Sequence, residues 1–302
     1  ITERVLQKSI LHVLSSLTDP TLHNGVHGFR PGRSPHTALA YALSLNCPTW
    51  GLYDLEDAFG SLPHGRLLQV VRQRVPNEEL ADLIQLLIER PGSETGRRGI
   101  PQGAPLSPLM LNLYLDKFLD TPFVRGATEA HLIRYADDIL IAAPDMDALV
   151  RAERTLKDVI RPHGLRLQDT KTSRVDIRTG TAHYMGFGIE LENADTDQAQ
   201  YRITAGNRLF GNIHHGLAEL QNLPRTEQTQ RALEVVTGSL SYLGPALAHM
   251  DRQDREDVVH RLRKIARDTL DAELPRDNVF YTKMHRAAQR WEQTLRQWEM
   301  KP

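Results

Sequence analysis

Eleven consecutive residues, Leu132-Ile133-Arg134-Tyr135-Ala136-Asp137-Asp138-Ile139-Leu140-Ile141-Ala142, set two adjacent carboxylates in the middle of a strongly apolar run. Burying a charge without a partner costs several kcal/mol. A divalent cation is one way to offset that cost. Apolar segments on both sides of a bare Asp-Asp pair predict a β-hairpin whose tight turn presents acids to a metal ion. In isolation the pair has a second reading, as a cap for turns. Either way, the two flanking segments belong to a core.

The rest of the composition narrows the class without naming a function. At 302 residues the chain is long enough for two or more compact units. With 40% hydrophobic and 25% charged residues it reads as an ordinary folded protein. No apolar stretch approaches the roughly 18 residues that a membrane span needs. The single cysteine, Cys47, excludes an internal disulfide framework and a cysteine-based zinc site, fits a cytoplasmic location and reads as a small core residue. The net charge of -1 argues mildly against a nucleic-acid binder, although acids gathered at a metal site lower the total.

Apolar residues at helical spacing predict a helix over 3–17 that stops before Asp19-Pro20. A Gly/Pro/Arg-rich loop follows, and Ser34 is placed to cap a helix running to Ser44 with Pro35 at its first position. A short buried strand is expected over 50–55, helices over 63–74, 77–89 and 106–119, and a long amphipathic helix over 146–160. Strands are expected over 171–175, 183–190 and 200–203. From Asn207 the pattern changes to four helical segments rich in Arg, Glu, Gln and Leu, with breaks near Pro224, Met250-Asp251 and Pro275. A domain boundary is expected near residue 204.

A two-metal phosphoryl-transfer site needs carboxylates from separate strands. Asp137 and Asp138 supply one side, and Asp54, at the end of the apolar strand Leu52–Leu55, is the candidate for the other. These acids are 83 positions apart in sequence, so only a fold brings them together. Three stretches, Asp54-Leu55-Glu56-Asp57-Ala58-Phe59, Gly99-Ile100-Pro101-Gln102-Gly103-Ala104-Pro105-Leu106-Ser107-Pro108 and Tyr135-Ala136-Asp137-Asp138, resemble successive core motifs of reverse transcriptases. Gly28-Phe29-Arg30-Pro31-Gly32-Arg33-Ser34 resembles the fingers motif of the group II intron-type bacterial enzymes. The stretch from Gly164 to Thr172 resembles the motif after the catalytic hairpin, and Tyr184-Met185-Gly186-Phe187 resembles the primer grip. Six motifs in order, over about residues 3–190, make the resemblance specific.

The resemblance implies an α+β fold: a right-hand polymerase palm of antiparallel sheet and helices, with partial fingers (1–48), a palm (49–204) and an α-helical thumb (205–302). It implies an RNA-directed DNA polymerase that adds dNTPs to a DNA or RNA primer on an RNA template, using two Mg²⁺ ions with Mn²⁺ as a possible substitute. Catalytic residues are then Asp54, Asp137, Asp138 and Lys171, and the metal ligands Asp54, Leu55, Asp137 and Asp138. Leu55, Asp57, Ala58, Phe59, Gln102 and Gly103 fall at nucleotide-contacting positions. Phe59 matches the aromatic residue beneath the incoming sugar, where a ring collides with a 2′-hydroxyl. Lys171 matches a lysine that protonates departing pyrophosphate. Met185 and Gly186 match the primer-holding turn.

Some residues keep two readings. Asp57 either contacts nucleotide or only bonds nearby backbone amides; Arg30 and Arg33 either contact nucleic-acid phosphates or hold the fold; Lys171 is a general acid or a surface lysine. Arg208, Arg261, Arg263, Lys264 and Arg267 are thumb contacts for an A-form hybrid or a solvated helix face. Trp291 and Trp298 are expected to pack the last helix. The family's basic fingers residues that clamp the triphosphate lie upstream of Ile1, so this chain alone is expected to bind deoxynucleotides weakly and to polymerise poorly, as an N-terminally truncated form. Intron mobility, phage defence and CRISPR adaptation all use such cores, so intron RNA or defence-system proteins are possible partners. The alternative function is a maturase-like RNA-binding scaffold that assists intron splicing.

Overall fold

In the computed structural model, residues 2–75, 77–89, 97–196, 199–270 and 279–299 are described. The chain divides into two compact units, Ile1–Asp176 and Ile177–Pro302, so the boundary expected near 204 falls inside the second.

In chain order the first unit contains α1 (Thr2–Thr18), α2 (Pro35–Ser44), β1 (Thr49–Asp54), α3 (His64–Arg74), α4 (Glu78–Ile88), α5 (Ser107–Leu115), α6 (Thr121–Gly126), β2 (His131–Tyr135), β3 (Asp138–Ala143), α7 (Met146–Ile160) and β4 (Ser173–Asp176). Helix starts follow local chemistry. Ser34 accepts from Thr37 N at 3.2 Å while Thr37 Oγ1 accepts from Ser34 N at 2.8 Å, a reciprocal cap with Pro35 in the first turn. Asn77 and Asp145 cap α4 and α7 through Leu80 N and Ala148 N, at 2.7 and 2.8 Å.

The four strands form one antiparallel sheet in the order β2-β3-β1-β4. All six residues of β1 are buried, as are the five of β3 that follow Asp138. Both strands therefore read as nearly continuous apolar runs rather than alternating ones. Leu67, Val71, Ile84, Leu111, Leu115, Leu149 and Leu156 pack with the sheet residues Tyr53, Leu132, Ile139 and Ile141 into one core.

The helix expected over 106–119 is interrupted. After α5 the chain makes a π-helical turn, Asp116–Asp120, before α6. Pro122 has no N–H to continue the α ladder. The wider turn also turns two acids inward, and both Asp116 and Asp120 are fully buried. Each has its own arginine: Arg74 Nη2 lies 2.5 Å from Asp116, and Arg134 Nη2 lies 2.6 Å from Asp120. Burial first, and then the charge of Asp120, push the Asp116 carboxyl up, while Arg74 pulls it down. Cys47 is half-buried rather than a core residue.

The second unit contains β5 (Ala182–Tyr184), β6 (Phe187–Glu192), β7 (Gln200–Ala205), α8 (Asn207–Ala218), α9 (Arg225–Tyr242), α10 (Gly244–His249), α11 (Arg252–Leu270) and α12 (Val279–Glu299). The strand expected over 183–190 is two strands, because Met185 (φ 50°) and Gly186 (φ 80°) form a two-residue hairpin turn. Positive φ at both central positions matches the twist of the flanking strands. The helical region holds five helices among the described residues rather than four. The extra break lies at Leu243-Gly244, where Pro245 cannot donate into the ladder of α9. The break expected near Pro275 lies outside the described residues. Leu217, Val236, Leu240, Leu262, Ala266, Phe280 and Met284 form the helical core. Trp291 and Trp298 are buried on α12. No helix among the described residues is long and apolar enough to cross a membrane.

The buried carboxylate of Glu153, on α7, ties that helix to β1 and β4. It accepts from Tyr53 Oη at 3.0 Å, Lys157 Nζ at 2.7 Å and Arg174 Nε and Nη2 at 2.6 and 2.9 Å. The Arg174 hydrogen bonds, followed by those of Lys157 and Tyr53, hold its pKa down at about 2 against a usual value of 4.5, despite burial. Because the folded value is depressed, this group stabilises the fold fully above pH 4.5, and that contribution is lost as pH falls through about 2. Glu153→Gln is expected to flatten the pH dependence of stability between pH 4.5 and 2, measured by urea unfolding across that range.

Candidate active site

The two acidic segments meet because β1 and β3 pair. The register sets Asp54 opposite Asp138, and Tyr135 opposite Asp138 across a two-residue turn of Ala136 and Asp137. Ala136 takes φ 59°, which a two-residue hairpin turn demands of its first position. Leu55 N donates to Asp137 O at 3.1 Å, so the turn lies directly beside the end of β1. Asp54 is buried, Asp137 half-buried and Asp138 exposed.

A third segment closes the site from the other side of β1. Gln168 N donates to Asp54 O at 2.8 Å and Glu56 N to Arg166 O at 2.9 Å. A single turn at Asp169–Lys171 then returns Lys171, whose Nζ donates to Asp54 Oδ2 at 2.9 Å. That hydrogen bond, with the charges of Asp54, Asp138 and Asp137, raises the Lys171 pKa. One ammonium is therefore held in the field of all three carboxylates.

Phe59 lies on the segment that continues from β1 and is half-buried against the core. Its carbonyl accepts from Ile100 N at 2.9 Å, and Leu62 O accepts from Gly99 N at 2.8 Å. These bonds lay the Gly99–Gly103 segment along the Phe59 segment, with Gln102 and Gly103 exposed. Gly103 has φ 78°, a conformation that only glycine adopts freely. Ala58 is buried beside them. The Asp57 carboxylate accepts from Gly60 N at 3.2 Å within its own turn, which matches the backbone-bonding reading of that residue.

The hairpin turn is itself anchored by a residue the sequence reasoning passed over. Arg134 is fully buried; Nε and Nη2 donate to the two oxygens of Asp120 at 2.8 and 2.6 Å, and Nη1 donates to Asn112 Oδ1 at 3.0 Å and to Ala136 O at 2.9 Å. Asn112 Nδ2 in turn donates to Gly28 O at 2.8 Å. The residue 25–27 segment runs parallel to β2: His27 N donates to Arg134 O and Arg134 N to Gly25 O, both at 2.8 Å. A Cβ on Gly28 would come within 2.2 Å of Ala136 N, so only glycine allows this approach. Its signal in the sequence is an arginine inside the apolar run that carries Asp137.

Of the two expected nucleic-acid arginines, Arg30 directs all its donors at the protein. It bonds Asp19 Oδ1 (2.7 Å), Asp19 Oδ2 (3.3 Å), Asp19 O (2.8 Å), His23 O (2.8 Å) and Val26 O (2.9 Å), so it holds the fold and has no donor left for a phosphate. Arg33 is half-buried and donates to Asn24 O at 3.2 Å.

Met185 and Gly186 belong to the second unit. The Met185 carbonyl accepts from Tyr242 Oη at 2.9 Å, and the Tyr242 ring stacks on Phe187 at 5.5 Å. Among the helix cations, Arg261 lies 3.8 Å over the Phe210 ring and Arg263 5.5 Å over Phe280; Lys264 and Arg267 are exposed. The side chain of Arg208 lies outside the described residues.

The donor set fits a hard cation. Asp54, Asp137 and Asp138 offer only oxygen, and the Lys171 ammonium already marks the spot as favourable to positive charge. Among the described residues no three acidic, His or Cys side chains gather into a ready-made cage. Mg²⁺ does not ask for one, since it keeps waters and substrate phosphates among its ligands.

The family profile described as "Reverse transcriptase (RNA-dependent DNA polymerase)" matches residues 1–189. The chain belongs to the reverse transcriptase family. Among curated relatives, it is 30% identical over 128 residues to the group II intron-encoded protein LtrA of Lactococcus lactis subsp. cremoris, covering 39% of this chain and 21% of that protein. It is also 30% identical over 184 residues to the retron Ec86 reverse transcriptase of Escherichia coli, covering 60% of this chain and 51% of that one. The chain thus spans about half or less of the length of either relative. Its reverse-transcriptase fold is similar to telomerase from Candida albicans, solved in complex with a fragment of telomeric RNA, at 10% identity and a TM-score of 0.50 over 98% of this chain and 58% of that one. The mixed helices and antiparallel sheets form a palm-like α+β fold.

Arg134→Ala leaves the Asp120 carboxylate buried without its partner, a loss of about 3–5 kcal/mol. Urea unfolding is expected to show that loss, whereas Arg134→Met with Asp120→Leu recovers most of it.

Proposed function

We propose that this chain carries the polymerising core of an RNA-directed DNA polymerase that extends a DNA or RNA primer on an RNA template with deoxynucleotides. The observation that carries the reading is the β1–β3 register, which sets Asp54 against the Asp137-Asp138 turn although 83 positions separate them in sequence. Asp54 and Asp137, with the Leu55 carbonyl and a looser Asp138, are the residues that would hold two Mg²⁺ ions, or Mn²⁺ in their place. The chemistry such ions supply is activation of the primer 3′-hydroxyl and neutralisation of charge on the triphosphate.

The chain's own groups do the rest. Asp54 and Asp137 are fixed by backbone pairing before substrate arrives, so little reorganisation is needed at the moment of reaction. Phe59 presents a ring where the sugar of the incoming nucleotide lies and excludes a 2′-hydroxyl by contact. Gln102 and Gly103, exposed beside the Phe59 segment, are assigned to contact the nucleotide, while Asp57 and the buried Ala58 shape the turn that carries Phe59. Lys171, whose ammonium lies 2.9 Å from Asp54, is the group we assign as proton donor to departing pyrophosphate. The Met185–Gly186 turn holds the primer end, and exposed cations of α11 follow the backbone of the hybrid.

A maturase-like RNA-binding scaffold is the second reading, favoured by the likeness to the intron-encoded protein LtrA. One assay separates the two: primer extension on RNA and DNA templates at saturating dNTP or rNTP, with wild type and Asp137→Ala. Polymerisation is expected on RNA with dNTP, and Asp137→Ala is expected to lower it at least about 10³-fold, since such ions supply several kcal/mol of charge stabilisation. Synthesis absent from both proteins, with binding of group II intron RNA retained in both, would establish the scaffold instead. Phe59→Ala is expected to admit ribonucleotides in the same assay; unchanged selectivity would remove the gate assignment.

A further inference from the structure

Phe29 is a large aromatic residue that the site described above leaves unused. It is 48% exposed, and its φ of 60° lies in the left-handed region that residues with a bulky side chain rarely enter. Its neighbours enforce that conformation. On one side Gly28 is pressed against the Ala136 backbone and held by Asn112. On the other, Arg30 is fastened by five hydrogen bonds to Asp19, His23 and Val26. The Phe29 ring is thereby delivered to Phe59, with centroids 6.3 Å apart and planes at 75°, an edge-to-face pair.

A steric gate discriminates only if its ring cannot swing aside when a ribonucleotide enters. Phe59 rests on the core but is half-exposed, so part of its ring has no core contact to restrain it. Phe29 is the aromatic partner that meets it. Backbone strain of this sort persists where surrounding structure over-determines it, and such positions cluster at functional sites. We propose that Phe29 is a specificity-determining positioning residue that braces Phe59 and so sets how strictly the site rejects a 2′-hydroxyl. This rests on the reading of Phe59 as the sugar gate.

The test is single-nucleotide incorporation on an RNA template by the 302-residue chain, comparing kcat/KM for dNTP and rNTP. The proteins are wild type, Phe29→Ala, Phe29→Tyr, Phe59→Ala and the Phe29→Ala/Phe59→Ala double variant. Phe29→Ala is expected to lower the dNTP preference about 2- to 10-fold, the scale of one aromatic pair, with the shift appearing as a lower ribonucleotide KM. Phe29→Tyr is expected to retain the preference, and the double variant to match Phe59→Ala, because a brace has nothing to act on once the gate is gone. If Phe59→Ala relaxes selectivity and Phe29→Ala does not, or if the two effects add, this proposal is wrong while the gate stands. If Phe59→Ala changes nothing, the gate reading fails and takes this proposal with it. A readout free of catalysis accompanies these: the ¹⁹F resonance of 4-fluorophenylalanine placed at position 59 is expected to move in Phe29→Ala, and an unmoved line would overturn the bracing contact.

Discussion

The candidate site depends on a buried ion pair that touches no substrate. Arg134 and Asp120 are both fully buried, and their paired oxygens and nitrogens satisfy each other. A buried pair of this kind adds little net stability, but removing either partner is severe. Its value here is geometric. The remaining Arg134 donors reach the Ala136 carbonyl and Asn112, and Asn112 reaches Gly28. One guanidinium therefore fixes the strained turn that carries Asp137, the helix α5 behind it, and through Asn112 the loop that presents Phe29. The π-helical turn that breaks α5 from α6 is the same constraint seen from the helix side, since it is what turns Asp120 inward.

Much of this was legible in the sequence. The hairpin followed from two acids inside an apolar run, the α2 cap from Ser34 with Pro35, and α7 from its amphipathic repeat; all three are found where expected. Six ordered motifs pointed to the family, to which the chain belongs. What stayed hidden is what pairs across long separations. Arg134 read as one more residue of a strand because nothing in the sequence marks Asp120 as its partner. Arg30 read equally well as a phosphate contact, since only the fold shows Asp19 and two carbonyls absorbing its donors. The split of residues 183–190 at Met185-Gly186 was missed because apolar residues flank the turn on both sides and hide it from periodicity.

Lys171 joins the two levels. Its spacing after Asp54 carries no signal, yet the Asp169–Lys171 turn places its ammonium 2.9 Å from that carboxylate. The acids that looked electrostatically unreasonable in the sequence are balanced in part by a cation from the chain itself. The same contact keeps the ammonium beside the acids at the end of β1 and the hairpin turn.

The central claim is that Asp54 and Asp137 together hold the ions of a polymerase site. Its most direct measurement is anomalous diffraction from crystals of the chain bound to an RNA template, a dideoxy-terminated primer and a matching dNTP, soaked in Mn²⁺. The expected result is anomalous density bridging the carboxylates of Asp54 and Asp137 and the triphosphate. Bound nucleotide with Mn²⁺ located elsewhere, or with Lys171 still on Asp54 and no density between the two acids, would contradict it.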